Sequence, residues 1–246
     1  MSDELRGAIN DHLVLITGAS ASGKSASLRN LRLPEGILYL NCEAGKHLPF
    51  ASKFREMRIT DPLKVPYYIS AMNDETKCHG IVVDSLTFLM DMYESMYVIN
   101  SQDTMRAWGN FAQFFKKMMQ QNVAESPKNI IFTAHVQAIL NESEMVMEKK
   151  VPVKGSLKAN GIEAYFSTVV SARTIGVAKL KGYENDLLRI TPEEEDMGVK
   201  HVFQTKLTKE TVNERIRSNM GMWAHNETFI DNDAQLLLDR LHQYYG

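Results

Sequence analysis

The sequence predicts an α/β fold in which a mainly parallel central sheet is flanked by helices. Three observations predict it. Five short apolar runs, Leu13 to Thr17, Ile37 to Cys42, Ile81 to Asp84, Ile130 to Ala134 and Thr168 to Ala172, lack the alternation of a half-exposed strand and read as strands buried on both faces. Helical stretches lie between them, which implies right-handed crossovers and a working edge at the strand C-termini. The first run passes directly into GASASGKS, Gly18 to Ser25, followed by the helix-compatible ASLRNL.

The chain has 246 residues, 44% of them hydrophobic, enough for one sizeable core. With no repeat, low-complexity linker or convincing boundary, residues 1–246 are expected to form a single domain. The clearest helix, about Thr104 to Val123, carries Trp108, Phe111, Phe114, Phe115, Met118 and Met119 at helical spacing, a stripe expected to face the core. Two charged stretches, 141–161 and 179–200, read as solvated loops, the second containing the acidic run Glu193 to Asp196. A last helix over residues 232–245, with Leu236, Leu237, Leu238 and Leu241, is expected to dock on the core.

A formal net charge of -2 excludes a polycation, so any nucleic-acid contact needs local basic clusters or an oligomer that concentrates them. Cys42 and Cys78 make neither a metal-ligand pattern nor a disulfide framework and are expected to be buried thiols in a reducing compartment. The N-terminal stretch lacks a signal-peptide apolar core, and no apolar run nears the roughly 20 residues that span a bilayer. A cytoplasmic location without membrane contact is expected.

Gly18 to Ser25 has glycines at both ends of a phosphate-loop pattern, then Lys and Ser. Small residues let the backbone curl so that successive N–H groups point at phosphate oxygens, and the helix N-terminus adds a favourable dipole. The phosphate-contacting set is therefore Gly18, Ala19, Ser20, Ala21, Ser22, Gly23, Lys24, Ser25 and Ala26. Lys24 is expected to reach the β- and γ-phosphates and Ser25 to offer its hydroxyl to Mg²⁺. Asp84, ending the run GIVVD, either holds the Mg²⁺ hydration shell, with Ser85 sharing it, or caps the following turn. Glu43, after the Ile37 run, either polarises an attacking water or is a surface acid at a strand end. Thr133 and His135, at the end of NIIFTAH, can sense a γ-phosphate by hydrogen bond; a bystander His is the alternative.

Taken together, GASASGKS, the strand ending in Glu43, and IVVDS resemble the RecA and recombinase ATPase core. Ser85 after Asp84 favours that arrangement over the AAA+ one, in which an acid follows the Mg²⁺ aspartate. The stretches LITGASASGKS, NCEAGKHLPF, IVVDSLTFLMDMYES, NIIFTAH, VPVKGSLKANGIEAYFSTVVSA and TKETVNERIRS resemble short phage-encoded RecA-like ATPases associated with single-strand annealing and recombination. The resemblance implies a RecA-like P-loop NTPase core, ATP and Mg²⁺ as cofactors, and Glu43 as catalytic base. It also implies a DNA-contacting loop carrying Lys149, Lys150, Lys154 and Lys158, although that loop has no aromatic stacking residues. Among Lys206, Lys209, Arg215 and Arg217, it implies a cation that reaches a neighbour's γ-phosphate across a subunit interface.

The function expected on this basis is ATP-dependent, Mg²⁺-dependent hydrolysis coupled to oligomerisation, in a ring or filament with ATP at subunit interfaces, and to engagement of single-stranded DNA. A single-strand-binding protein is a possible further partner. The alternatives are a nucleotide-gated assembly or loader ATPase acting through a protein partner, and a small-molecule kinase.

Overall fold

The computed structural model describes residues 9–142 and 144–246. Residues 1–8 of the N-terminal stretch read above lie outside the described residues. The five expected strands are present: β1 (Leu13–Gly18), β2 (Ile37–Asn41), β4 (Gly80–Asp84), β5 (Asn129–His135) and β8 (Thr168–Gly176). With β3 (Arg55–Arg58), β9 (Val199–Gln204) and β10 (Phe229–Asp231) they form one sheet of order β10-β9-β8-β1-β5-β4-β2-β3. Every pairing from β8 to β3 is parallel; β9 and β10 add an antiparallel edge. The fold is thus α/β with a large, mostly parallel sheet flanked by helices, as expected.

Burial on both faces explains the uninterrupted apolar runs. In β1, Leu13 and Leu15 join a core with α3 (Thr104–Lys117), while Val14 and Ile16 join a second core with α6 (Ala234–Tyr245). Asp103 caps α3 by accepting from the Arg106 N–H at 3.0 Å, and Lys116 and Lys117 complement the dipole at its last turn. The helix continues as a π-helical turn, Met118–Val123, so the expected stripe stays on one side: Phe111, Phe114, Phe115, Met118 and Met119 are all buried. On α6, capped by Asp233, the buried face is Ala234, Leu237, Leu238 and Leu241. α1 (Lys64–Ala71) and α2 (Leu86–Tyr93) complete the first core. Both cysteines are buried and unpaired.

Two expected loops are ordered elements. Two strands, β6 (Gln137–Asn141) and β7 (Val146–Lys150), pair antiparallel as a hairpin, and Gly155–Lys158 is a 3-10 turn. Its two faces differ: Ile139 pairs with Glu148 on the half-buried side, whereas Ala138, Leu140, Met147 and Lys149 are exposed on the other. The half-polar composition of both faces hides the alternation that would announce a strand. In the second stretch, α4 (Val177–Leu180) and α5 (Pro192–Met197) precede β9. Thr191 and Glu194 form a reciprocal capping box, Pro192 opens the helix and left-handed Gly198 ends it. The acidic run therefore begins a helix, where negative charge is favoured by the dipole. No helix among the described residues is long and apolar enough to cross a membrane.

Phe115 is fully buried where α3 meets the sheet. Phe115→Ala should lower unfolding free energy by about 3–5 kcal/mol in urea melts; a loss below about 1 kcal/mol would show that α3 does not carry this core.

Candidate nucleotide site

The site forms where β1, β5, β4 and β2 end at one edge of the sheet. After β1 the chain turns within a few residues, and the two glycines are sterically required. A Cβ on Gly18 would lie 2.3 Å from Ser22 Oγ and 2.6 Å from the Ala172 carbonyl oxygen. Gly23 has φ +94, and a Cβ there would meet Asn232 Nδ2 at 2.3 Å. The loop then enters a 3-10 helix, Ser25–Asn30.

A cavity of about 640 Å³ opens over this loop. Ser20 to Ala26 line it together with Tyr39, Glu43, Lys46, Asp84 and His135. Gly18 and Ala19 form the loop's opposite flank, facing a second groove of about 450 Å³ bounded by Ala138, Lys149 and Arg173.

Asp84 is buried, and three hydroxyls converge on its carboxylate. Ser25 Oγ donates to Oδ2 at 2.9 Å, Tyr39 OH to Oδ2 at 2.8 Å, and Thr133 Oγ1 to Oδ1. Burial, then the adjacent carboxylate, drives the Tyr39 phenol upward, so it remains a donor. This chemistry fits a hard divalent cation: Mg²⁺ is held by one or two carboxylates, hydroxyls and substrate phosphates, with water completing the shell. Ser85 Oγ, beside Asp84, is buried with no hydrogen-bond partner among the described residues. Ser25, Asp84 and Ser85 are thus the oxygen groups available to such an ion.

Lys24 is buried, its ammonium donating to the carbonyls of Gly18 (3.0 Å) and Ala19 (2.7 Å). It also lies 3.4 Å from His135 Nδ1, whose Nε2 is 3.2 Å from Glu43 Oε1. An ammonium only donates and a carboxylate only accepts, so this geometry assigns the Nε2–H tautomer to His135. Lys24, His135 and Glu43 thereby form one hydrogen-bonded chain. The His135 bond, offset by burial and reinforced by Lys46 at 3.0 Å, holds the Glu43 carboxyl down at about 2. Glu43 is therefore ionised near neutral pH, the form a general base requires.

Other predicted residues stand outside this cavity. Lys206 donates to the Trp223 carbonyl at 3.1 Å, Arg215 to Glu148 at 3.2 Å, and Arg217 is exposed on a segment bridged to β8 through Val169. Of the four lysines of the expected DNA loop, Lys149 pairs with Glu214 (3.3 Å), Lys150 with Glu148 (2.9 Å) and Lys154 with Glu94 (2.8 Å). Lys158 is exposed, with no ion pair among the described residues. The loop is thus an ion-paired hairpin and turn rather than a free basic strand.

Sequence reasoning missed several groups. Asn232 donates to the Gly23 carbonyl at 3.0 Å from 209 positions away, and His201 approaches the Ser22 carbonyl at 3.3 Å. Lys200, buried between Glu194 and Asp231, closes the cavity's far side. None has a local signal, because each reaches the loop only through the antiparallel edge. Lys46, three residues after Glu43, could have been found from that spacing.

A phosphate loop with its lysine and serine, facing a strand-end aspartate at the edge of a mostly parallel sheet, defines an ATPase-type P-loop domain. A family model described as an AAA domain matches residues 11–212, most of the chain, and the chain belongs to that family. No curated protein matches it.

Burial, partly opposed by Asp84 and Glu43, holds the Lys24 ammonium down at about 8. A bound triphosphate favours the charged form, so its folded-state value must rise on binding. Nucleotide affinity should therefore be level below pH 8 and fall by up to about tenfold per pH unit above it. Calorimetry in buffers of different ionisation enthalpy should register net proton uptake above pH 8; binding with no uptake there would remove Lys24 from the phosphates.

Proposed function

We propose that this chain binds ATP with Mg²⁺ and hydrolyses it, and that it does so as a RecA-like protein of DNA recombination or single-strand annealing, with assembly and single-stranded DNA engagement coupled to turnover. One observation carries the catalytic part: Glu43, two residues past the end of β2, and Asp84, at the end of the neighbouring parallel strand β4, converge with Lys24 and Ser25 on a single cavity. Mg²⁺, when bound, supplies charge neutralisation on the β- and γ-phosphates. Lys24 leaves the loop carbonyls for phosphate oxygens, and Glu43 orients a water and accepts its proton. A bond forms from the water oxygen to the γ-phosphorus, the bridging oxygen–γ-phosphorus bond breaks, and ADP and inorganic phosphate leave.

The RecA-like reading is supported by the carboxylate just after β2, one strand beyond the Asp84 strand, and by Ser85 rather than an acid after Asp84. Support for DNA engagement is the position of β6 and β7 directly after β5, with Lys149 on the exposed face and on the groove beside Ala19. A second reading, a nucleotide-gated assembly or loader ATPase acting through a protein partner, is favoured by that same face. Its Ala138, Leu140 and Met147 are apolar and exposed, while Lys150 and Lys154 are already paired with acids.

Lys24→Ala should lose nucleotide binding, and Glu43→Gln should bind ATP normally while losing at least about a hundredfold in turnover. Normal turnover by Glu43→Gln would remove Glu43 from the base role. Separately, turnover and solution mass measured with and without single-stranded DNA, over a range of protein concentration, test the coupling. Stimulation by DNA alone supports the recombination reading; stimulation only by an added protein supports the second. Arg215→Ala and Arg217→Ala should lower turnover only where the chain assembles, and full activity of both at every concentration would exclude them as trans-acting cations.

A further inference from the structure

Lys46 belongs to a tightly specified turn. Its N–H donates to the Glu43 carbonyl at 3.0 Å, and its own carbonyl accepts from Asn41 Nδ2 at 3.0 Å. Ala44 and Gly45 between them are left-handed, with φ 55 and 80. The backbone is therefore anchored while the side chain, 68% exposed, reaches the cavity wall and sets its ammonium 3.0 Å from Glu43 Oε2.

Two of the cavity's other cations are committed elsewhere: Arg29 donates to the carbonyls of Ala26 and Asn232, and Lys200 is buried between Glu194 and Asp231. Arg189 enters the cavity lining from beside β10, where its backbone N–H donates to Asp231 Oδ1 at 3.1 Å. Lys24 and Lys46 are thus the cations beside Glu43, and the charge of Lys46 bears on both Lys24 and Glu43.

Both Glu43 oxygens are engaged, Oε1 by His135 and Oε2 by Lys46. Each oxygen keeps a second lone pair, but the Lys46 ammonium on Oε2 competes with a water for that oxygen and lowers its basicity. The γ-phosphate carries more charge than a carboxylate, and Lys46, whose side chain is mostly exposed, is free to swing from Glu43 towards it.

We propose that Lys46 is a phosphate-contacting cation acting in cis, which moves from Glu43 onto the γ-phosphate of bound ATP and so frees Glu43 Oε2 for the attacking water. This role rests on the nucleotide reading of the same cavity. It leaves the covalent change as written above: Lys46 neither gives nor takes a proton, and it meets charge that grows on the phosphoryl oxygens. A cation supplied within the chain makes part of the rate independent of assembly.

The test compares Lys46→Ala and Lys46→Arg with wild type. It measures turnover at saturating ATP, and affinity for Mg·ADP with and without fluoroaluminate, at several protein concentrations. Lys46→Ala should lose roughly a hundredfold in turnover. It should lose a comparable factor in affinity for the ADP–fluoroaluminate complex, keep its affinity for ADP, and show the same loss at every concentration; Lys46→Arg should recover part of both. Turnover by Lys46→Ala equal to or above wild type would make Lys46 a brake on Glu43 and overturn the proposal, as would unchanged fluoroaluminate affinity. A folded wild type that binds neither ADP nor the complex would overturn the nucleotide reading itself.

Discussion

A carboxylate taken out of water must have its lone pairs satisfied, and the candidate site is organised around one that does. Asp84 collects hydroxyls from the phosphate loop, from β2 and from β5. Those donors can meet because β1, β5, β4 and β2 are consecutive in the sheet and parallel, so that all four end at the same edge. An unpartnered buried charge would cost several kcal/mol, roughly the scale of a domain's whole stability. Replacing any of the three donors therefore leaves the buried carboxylate one hydrogen bond short. Ser25 Oγ and the Asp84 carboxylate are also oxygens that suit a divalent ion, so one cluster both joins these elements and offers a metal its ligands.

Lys24 shows the complementary economy on the cationic side. Buried in the loop it belongs to, it satisfies its ammonium on the carbonyls of Gly18 and Ala19, and reaches Glu43 through His135. These bonds satisfy the ammonium within the loop itself, while burial holds it down at about 8. Elsewhere the cations are largely neutralised in place: Arg173 and Lys149 share Glu214, while Arg215 and Lys150 share Glu148. The overall charge of -2 is the difference between 28 basic and 30 acidic residues, and pairing distributes those charges without changing their sum.

The sheet's centre was legible in the sequence because strands buried on both faces show themselves as unbroken apolar runs, and Leu13–Thr17 or Ile81–Asp84 admit few other readings. Gly18 to Ser25 was legible because sterics and phosphate chemistry restrict it to few residue types. The antiparallel edge was not. Val199–Gln204 alternates Lys200 and His201 among apolar residues, and Phe229–Asp231 is only three residues long. The α5 helix carried a readable signal in Thr191, Pro192 and Glu194, masked by the charge of the run that follows. Tyr39 and Asn232 carried none: their roles depend on which strands become neighbours, which only the assembled sheet decides.

Val136 alone separates β5 from β6, and its N–H donates to the Gly18 carbonyl at 3.2 Å. The strand that delivers Thr133 and His135 to the nucleotide pocket therefore continues, with no slack, into the hairpin. A five-residue arm of about 17 Å, at about 3.3 Å per residue, leads from that joint to the tip near Met145. Small rotations at its root become larger displacements at its end, as with any lever pivoted close to the load. The edge of the nucleotide pocket and an exposed hairpin surface therefore belong to one continuous stretch of chain.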